Sequence, residues 1–264
     1  MDVPRISASS YSNTAPLVWS FLYGSNHGRV ELILDNAPAR SAELLAAGRV
    51  DAALVPVIAF QFIDKVKLIP GVCVGARERV RSVCLVTRGC DLTDVRSVSL
   101  DTSSRTSVAL TKIIFREFIG FEPEWMGAEP NVDEMLANSD AALIIGDPAL
   151  RLSAGMSGLR IFDLAELWRS HTDLGFVFAM WMTGHDNSPV NFAAARDEGL
   201  RHIDEIASNY LPQIGLSAGE MTAYLTQNIS YTMDNTMQDG LKLYFNLAKK
   251  HGLSEQDRKL AYVI

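Results

Sequence analysis

The chain has 264 residues, enough for one large domain or two lobes of ordinary size. Its 48% hydrophobic and 21% charged residues describe a globular protein with ample core, and its formal charge of −7 argues against a nucleic-acid footprint, which needs a basic face. The N-terminus lacks the basic and apolar regions of a secretion signal, and no apolar run approaches the ~20 residues of a membrane helix, so the expectation is a cytoplasmic protein without membrane or nucleic-acid partners.

Arg5 to Ser10 reads as a first strand ending in hydroxyls. After it, Tyr11-Ser12-Asn13-Thr14-Ala15-Pro16 opens a helix, with Pro just inside the start. Glu31 to Asp35 predicts a second strand, Ser41 the cap of a helix that stops at Gly48, and the apolar run Val50 to Val57 a strand covered on both faces. Lys67 to Ala76 and Ser82 to Thr87 follow as strands, separated by a charged turn. A second α/β unit then has strands at Ser97–Leu100, Pro123–Met126, Ala141–Ile145 and Phe176–Met182, with helices near 106–119, 132–138, 147–152 and 163–171. From Pro189 onward the pattern is helical, at 189–209, 217–229, 235–251 and 254–262.

This order predicts an α/β protein of two lobes. Lobe one comprises 1–90 and 183–264, with the helical tail packed on it, and lobe two is 91–182. A cleft between lobes is a favoured place for a small-molecule site.

The densest polar cluster is Ser103-Ser104-Arg105-Thr106-Ser107, between a short strand and a helix with apolar residues at Leu110, Ile113, Ile114 and Phe118. Free N–H groups at a helix start, with four hydroxyls and a guanidinium, suit a carboxylate. The same residues also read as a capped helix with a solvated Arg. In an open α/β sheet, ligands sit beyond the carboxyl ends of the strands. That criterion adds Ser9, Tyr11, Asn13, Thr14, Gly146 and Asp147; Ser82, at a strand start, joins them as a polar residue beside an apolar run. Asp147, before Pro148, reads first as a helix cap. Trp125, Trp168, Trp181, Phe176 and Phe178 could line a pocket, but aromatics at these spacings read first as core.

The five histidines are scattered among polar residues, without metal-ligand spacing or a nucleophile–base motif. Cys73, Cys84 and Cys90 form no framework, and the apolar settings of Cys73 and Cys84 suggest buried thiols. No Gly-rich phosphate loop is present, so neither a metal nor an organic cofactor is expected.

Several motifs, in order, resemble the chorismate dehydratases of menaquinone biosynthesis. Ser9 to Leu17 is similar to their S-Y-x-N-[TS]-x-P-L opening; Val50 to Pro56, Arg81-Ser82-Val83, Leu100 to Ser107, Ile144 to Leu150 and Phe176 to Trp181 follow. The likeness covers about 5–182, whereas the helical tail matches in kind only. Gly175 departs from the pattern, where the family has Pro. The S-P-C-P-N-type opening of the sister enzyme in the pathway is absent.

The resemblance implies a type II periplasmic-binding-protein-like fold with a mixed sheet in each lobe. It also implies a cytoplasmic enzyme of the futalosine route that converts chorismate to 3-[(1-carboxyvinyl)oxy]benzoate and water. A homodimer is left open. In that reading Asn13 and Ser82 are the catalytic candidates, and Ser9, Tyr11, Thr14, Ser103, Ser104, Arg105, Thr106, Ser107, Gly146 and Asp147 bind substrate. The substrate's own carboxylate is the expected base, with Asp147 in reserve. The competing reading is a cytoplasmic protein that binds or senses a small carboxylate without catalysis. A transport protein of this fold would need a secretion signal, and a regulator would need a DNA-binding unit ahead of Arg5.

Overall fold

The computed structural model describes residues 3–152, 158–256 and 258–263. Two five-stranded mixed sheets make up the two lobes. The strands are β1 (Arg5–Ser9), β2 (Glu31–Asp35), β3 (Ala52–Pro56), β4 (Lys67–Ala76), β5 (Val83–Thr87), β6 (Ser97–Asp101), β7 (Glu124–Ala128), β8 (Ala141–Ile145), β9 (Arg160–Asp163) and β10 (Phe176–Thr183). Their order is β2-β1-β3-β10-β4 in the first sheet and β7-β6-β8-β5-β9 in the second. In each sheet three strands run parallel, and the fourth is antiparallel to its neighbours.

This strand order moves the expected lobe boundaries. Ser82–Thr87, assigned above to lobe one, pairs in the second sheet, whereas Phe176–Met182, assigned to lobe two, pairs in the first. The chain therefore crosses near 77–82 and 173–175 instead of at 90/91 and 182/183. Each crossing delivers the antiparallel fourth strand of the lobe it enters. Such pairing is set by partners far away in sequence, which local alternation does not reveal.

The helices are α1 (Ala15–Leu22), α2 (Pro38–Ala46), α3 (Thr106–Ile113), α4 (Val132–Asn138), α5 (Asp147–Leu152), α6 (Leu164–Thr172), α7 (Phe192–Leu200), α8 (Ile203–Ile214), α9 (Ala218–Ala223) and α10 (Asn235–Lys250). Pro38 at its first turn starts α2, so Ser41 lies within the helix, where its hydroxyl meets that of Ser7 at 2.9 Å instead of capping. The predicted helix 189–209 is broken at Arg201 and His202, and His202 stacks on Trp19 with ring centroids 3.6 Å apart. The predicted helix 254–262 is not formed at its described residues; Asp257 lies outside them. That segment is drawn out instead by Arg258, whose guanidinium donates to the carbonyls of Phe60, Ile63 and Val66.

The tail packs on lobe one through α7 against α1 and α10 against β10, but it also reaches lobe two. Helix α10 touches α3, and Tyr244 Oη donates to the Thr106 carbonyl at 3.0 Å. Gly175 makes a close approach possible here. Trp168 Nε1 donates to its carbonyl at 3.2 Å, and Gly240 of α10 lies so near that a Cβ at 240 would collide with the same oxygen. Gly240→Ala should therefore lift α10 and cost about 1–3 kcal/mol of stability, the usual penalty for overpacking. Equilibrium denaturation of the two proteins measures it.

Candidate active site

The parallel strands of both sheets end at one cleft. Because β5 runs antiparallel, its start at Val83 sits opposite Ile145, the end of β8, so Ser82 reaches the same edge as the strand ends. The cleft opens on about 530 Å³ of space free of protein atoms, part of it open solvent. Leu54, Pro56, Val74, Phe178 and Ala179 of the first sheet and Val83 and Ile145 of the second supply apolar walls; the polar lining is Ser9, Tyr11, Asn13, Thr14, Ser104, Thr106, Ser107 and Gly146. An apolar cavity with a few convergent donors is the usual form of a small-ligand site.

On the first lobe, β1 leads into the 3-10 turn Ser12–Thr14, ahead of α1. Thr14 holds this turn. Its hydroxyl donates to the carbonyls of Ser9 at 2.6 Å and Tyr11 at 2.8 Å, which leaves Asn13 presented to the cavity. On the second lobe, Asp101 ends β6 and shapes the next turn. Its Oδ1 accepts from the Ser103 hydroxyl and N–H at 2.6 and 2.9 Å, while its Oδ2 is buried without a partner. Burial raises the Asp101 carboxyl, with the Ser103 donors opposing and Glu129 adding to the rise. Helix α3 then begins without a side-chain cap, and the hydroxyls of Ser104, Thr106 and Ser107 line the cavity at its N-terminus. This combination of dipole, N–H groups and hydroxyls is suited to receive an anion.

Four predicted residues lie elsewhere. Arg105 turns away to lobe one, pairing with Glu43 Oε1 at 3.3 Å, so its fork is engaged by the protein's own carboxylate. Ser103 is used by Asp101. Ser82 is fully buried behind Val83; its carbonyl accepts from Gly146 N–H at 2.7 Å, and its hydroxyl lies 3.4 Å from the Val80 carbonyl. The turn before it is strained, with Arg81 at φ +61°, and is held by Asp163, whose carboxylate accepts from the N–H groups of Val80, Arg81, Ala165 and Glu166.

Asp147 does not cap its own helix in the expected way. It reaches across the cleft to Ser12, accepting from that residue's N–H at 3.1 and 3.2 Å and from its hydroxyl at 2.5 Å. Burial raises its carboxyl, against the pull of the Ser12 donors and the Arg151 charge. Beside it, Gly146 takes φ +66°, and a Cβ there would stand 2.8–2.9 Å from the Tyr11 ring, so the two lobes touch ring on backbone.

With the geometry in place, comparison with known proteins is informative. Residues 4–250 match the protein family described as menaquinone biosynthesis. The chain belongs to this family. It is 31% identical over 257 residues to the chorismate dehydratase of Thermus thermophilus, a match covering 89% of this chain and 91% of that one. The fold is that of the periplasmic binding proteins. The Candida albicans CA3427 product, which has the generic form of that fold, superposes with a TM-score of 0.69 at 12% identity, covering 100% of this chain and 98% of its own. The periplasmic aliphatic sulphonate binding protein SsuA of Escherichia coli gives 0.65 at 14%, covering 98% and 90%.

Within this family site, three features were missed or given too little weight from sequence. Ser12, buried, was read as part of the turn only, yet it bridges the lobes. Phe178, read first as core with a pocket wall as the alternative, is a cavity wall. Tyr224, from the tail, is fully buried, and its hydroxyl has no hydrogen-bond partner. The histidines sit outside the lining: His185 pairs with Asp51, His251 with Glu117, and His171 stacks on Phe118. Cys73 and Cys84 are buried free thiols, and burial pushes Cys73 up to about 12. Among the described residues no group of three His, Cys, Asp or Glu side chains is placed to hold a metal, and no helix is long and apolar enough to cross a membrane.

The Asp147 environment has a measurable pH signature. With its folded pKa above the unfolded value of 3.8, the folded state binds the proton more tightly, so this group's stabilisation is present at low pH and lost as pH rises through the folded pKa. Thermal melts of the wild type and Asp147→Asn should therefore show the neutral variant gaining on the wild type as pH is raised from about 4 to 7.

Proposed function

We propose that this protein is a chorismate dehydratase, converting chorismate to 3-[(1-carboxyvinyl)oxy]benzoate and water in menaquinone biosynthesis by the futalosine route. The observation that carries the reading is the pairing of Asn13 on one lobe with the uncapped, hydroxyl-bearing start of α3 on the other, around a single apolar cavity. Family membership and the Thermus thermophilus relative support it. Chorismate is a compact dicarboxylate with an alicyclic ring, so it needs anion donors at its ends and apolar walls between them. A cytoplasmic location goes with the reading.

The reaction breaks the C–H bond of the ring carbon bearing the enolpyruvyl ether and the C–O bond of the neighbouring hydroxyl. The electrons of the C–H bond enter the ring, which becomes aromatic, and the hydroxyl leaves as water with a proton. Aromaticity supplies the driving force. The protein's task is therefore orientation and electrostatic support. In this account Ser104, Thr106 and Ser107, with the α3 N–H groups, hold one carboxylate. The Asn13 amide hydrogen-bonds the departing hydroxyl. Ser9, Tyr11, Thr14 and Gly146 shape the first-lobe side and the seam. Ser82 acts from behind the wall, through its carbonyl on Gly146. Asp147, whose two oxygens both face Ser12 donors, serves as the bridge between lobes, and the proton goes to the substrate's own enolpyruvyl carboxylate.

Purified protein mixed with chorismate, without added metal or cofactor, should give a product lighter by one water with a benzoate-type spectrum. Asn13→Ala should lower turnover by about 10²–10³, the range for a lost electrostatic donor. Chorismate that stays intact while raising the melting temperature would instead identify a binding or sensing protein. Turnover within a factor of about three in both Asn13→Ala and Ser82→Ala, far below that range, would remove these two residues from the mechanism.

A further inference from the structure

Three tyrosines are buried among the described residues: Tyr224, Tyr231 and Tyr244. The hydroxyls of the first two have no hydrogen-bond partner, whereas Tyr244 Oη donates to the Thr106 carbonyl at 3.0 Å. This bond joins distant parts of the chain, since Tyr244 lies in α10 of the tail and Thr106 is the first residue of α3 in lobe two. Helical geometry already offers that carbonyl the N–H four residues on, so the tyrosine is not needed to satisfy it. What the bond adds is position.

Thr106 is held at a second point. Its hydroxyl oxygen accepts from the Ile58 N–H at 3.3 Å, and Ile58 belongs to the short 3-10 turn after β3 in lobe one. A hydroxyl has one proton to give, and accepting on one side directs that proton elsewhere. Thr106 is 2% exposed and lines the cavity, which is where the proton is free to point. Carbonyl and hydroxyl are thus pinned from different elements, and the β-branched side chain has little rotamer freedom left.

The ring of Tyr244 ties this point to the opposite wall. It is 0% exposed and stands edge-on to Phe176, with centroids 5.1 Å apart. Phe176 in turn meets Phe178, a wall of the cavity, at 4.7 Å. Edge contacts of this kind between buried rings are favourable and directional. A stiff phenol therefore spans from behind the first-lobe wall to the start of α3. Burial pushes that phenol well above its ordinary range, so it donates at any working pH.

We propose that Tyr244 is a positioning residue for substrate binding: through the Thr106 carbonyl it holds Thr106 at a fixed place relative to the Phe178 wall, so that the Thr106 hydroxyl donates to the substrate carboxylate. The proposal deepens the dehydratase reading given above and rests on it. It makes a residue of the helical tail part of the anion-receiving end of the site without touching the ligand.

Tyr244→Phe removes the hydroxyl and keeps the ring with its aromatic neighbours, so the fold persists, with a melting temperature lower by about 2–4 °C. The test is kcat and KM for chorismate in the wild type, Tyr244→Phe, Thr106→Val and the double variant, with melts on the same samples. Thr106→Ala, alone and doubled, is measured beside Thr106→Val, so that a misfolded valine variant does not end the comparison. Tyr244→Phe should raise KM about three- to tenfold, the range of one net hydrogen bond, with kcat within about twofold. A loss of stability alone would not divide KM from kcat in this way. Without the Thr106 hydroxyl the same change should move KM by less than about twofold, because the group it positions is gone. An unchanged KM in Tyr244→Phe, beside a raised KM in Thr106→Val, would overturn the positioning role and leave the dehydratase reading intact. Fully multiplicative effects, or a fall in kcat at level KM, would also overturn it. An unchanged KM in both Thr106 variants would overturn the role of Thr106 and this proposal together, and absence of turnover by the wild type would overturn the dehydratase reading beneath both.

Discussion

A half-buried carboxylate holds this molecule in its working shape. Asp147 belongs to the second lobe, yet both of its oxygens are served by the N–H and hydroxyl of Ser12 in the first. Taking a carboxylate out of water is unfavourable unless donors replace the lost hydration. Ser12 supplies those donors only while the lobes are together. The contact thus fixes their separation, and the other features of the cleft follow from it. Tyr11 comes to rest against Gly146, and the start of α3 shares one cavity with Asn13.

The same scaffold serves sulphonate binding in the Escherichia coli periplasm, so the fold alone does not define a reaction. What distinguishes this chain is the quality of the polar groups at the strand ends. No strong protein base stands among the cavity-lining residues, which offer hydroxyls, an amide and backbone donors. Such a set suits an anion and a departing hydroxyl, and the proposed mechanism accordingly gives proton removal to the ligand. Arg105 fits this picture by its absence from the lining. Paired with Glu43 on the outside, it links the lobes, and the proposed carboxylate contacts fall to the neutral donors.

Much of this was legible in the sequence, for definable reasons. Strands such as Glu31–Asp35, Lys67–Ala76 and Ala141–Ile145 agree to the residue, because apolar runs bounded by turn residues are local signals. The polar clusters at 9–14 and 104–107 were likewise visible as strand-to-helix turns. The lobe boundaries were not, since membership of β5 and β10 depends on pairing across the molecule. Strand β9 also went unseen, being four residues long and only partly covered. The tail shows the same divide: periodicity located α10, but nothing local announced that Arg258 would unwind the last segment.

The account stands on the claim that the substrate, and no protein carboxylate, takes the ring proton. It is tested most directly with a chorismate analogue whose enolpyruvyl carboxylate is a primary carboxamide, by measuring its affinity and its loss of water on the same protein sample. The account predicts an analogue that binds and stays intact, because the amide cannot accept the proton. Loss of water at a rate within about tenfold of chorismate, one hydrogen bond's worth of barrier, would contradict it and return Asp147 to the place of the base.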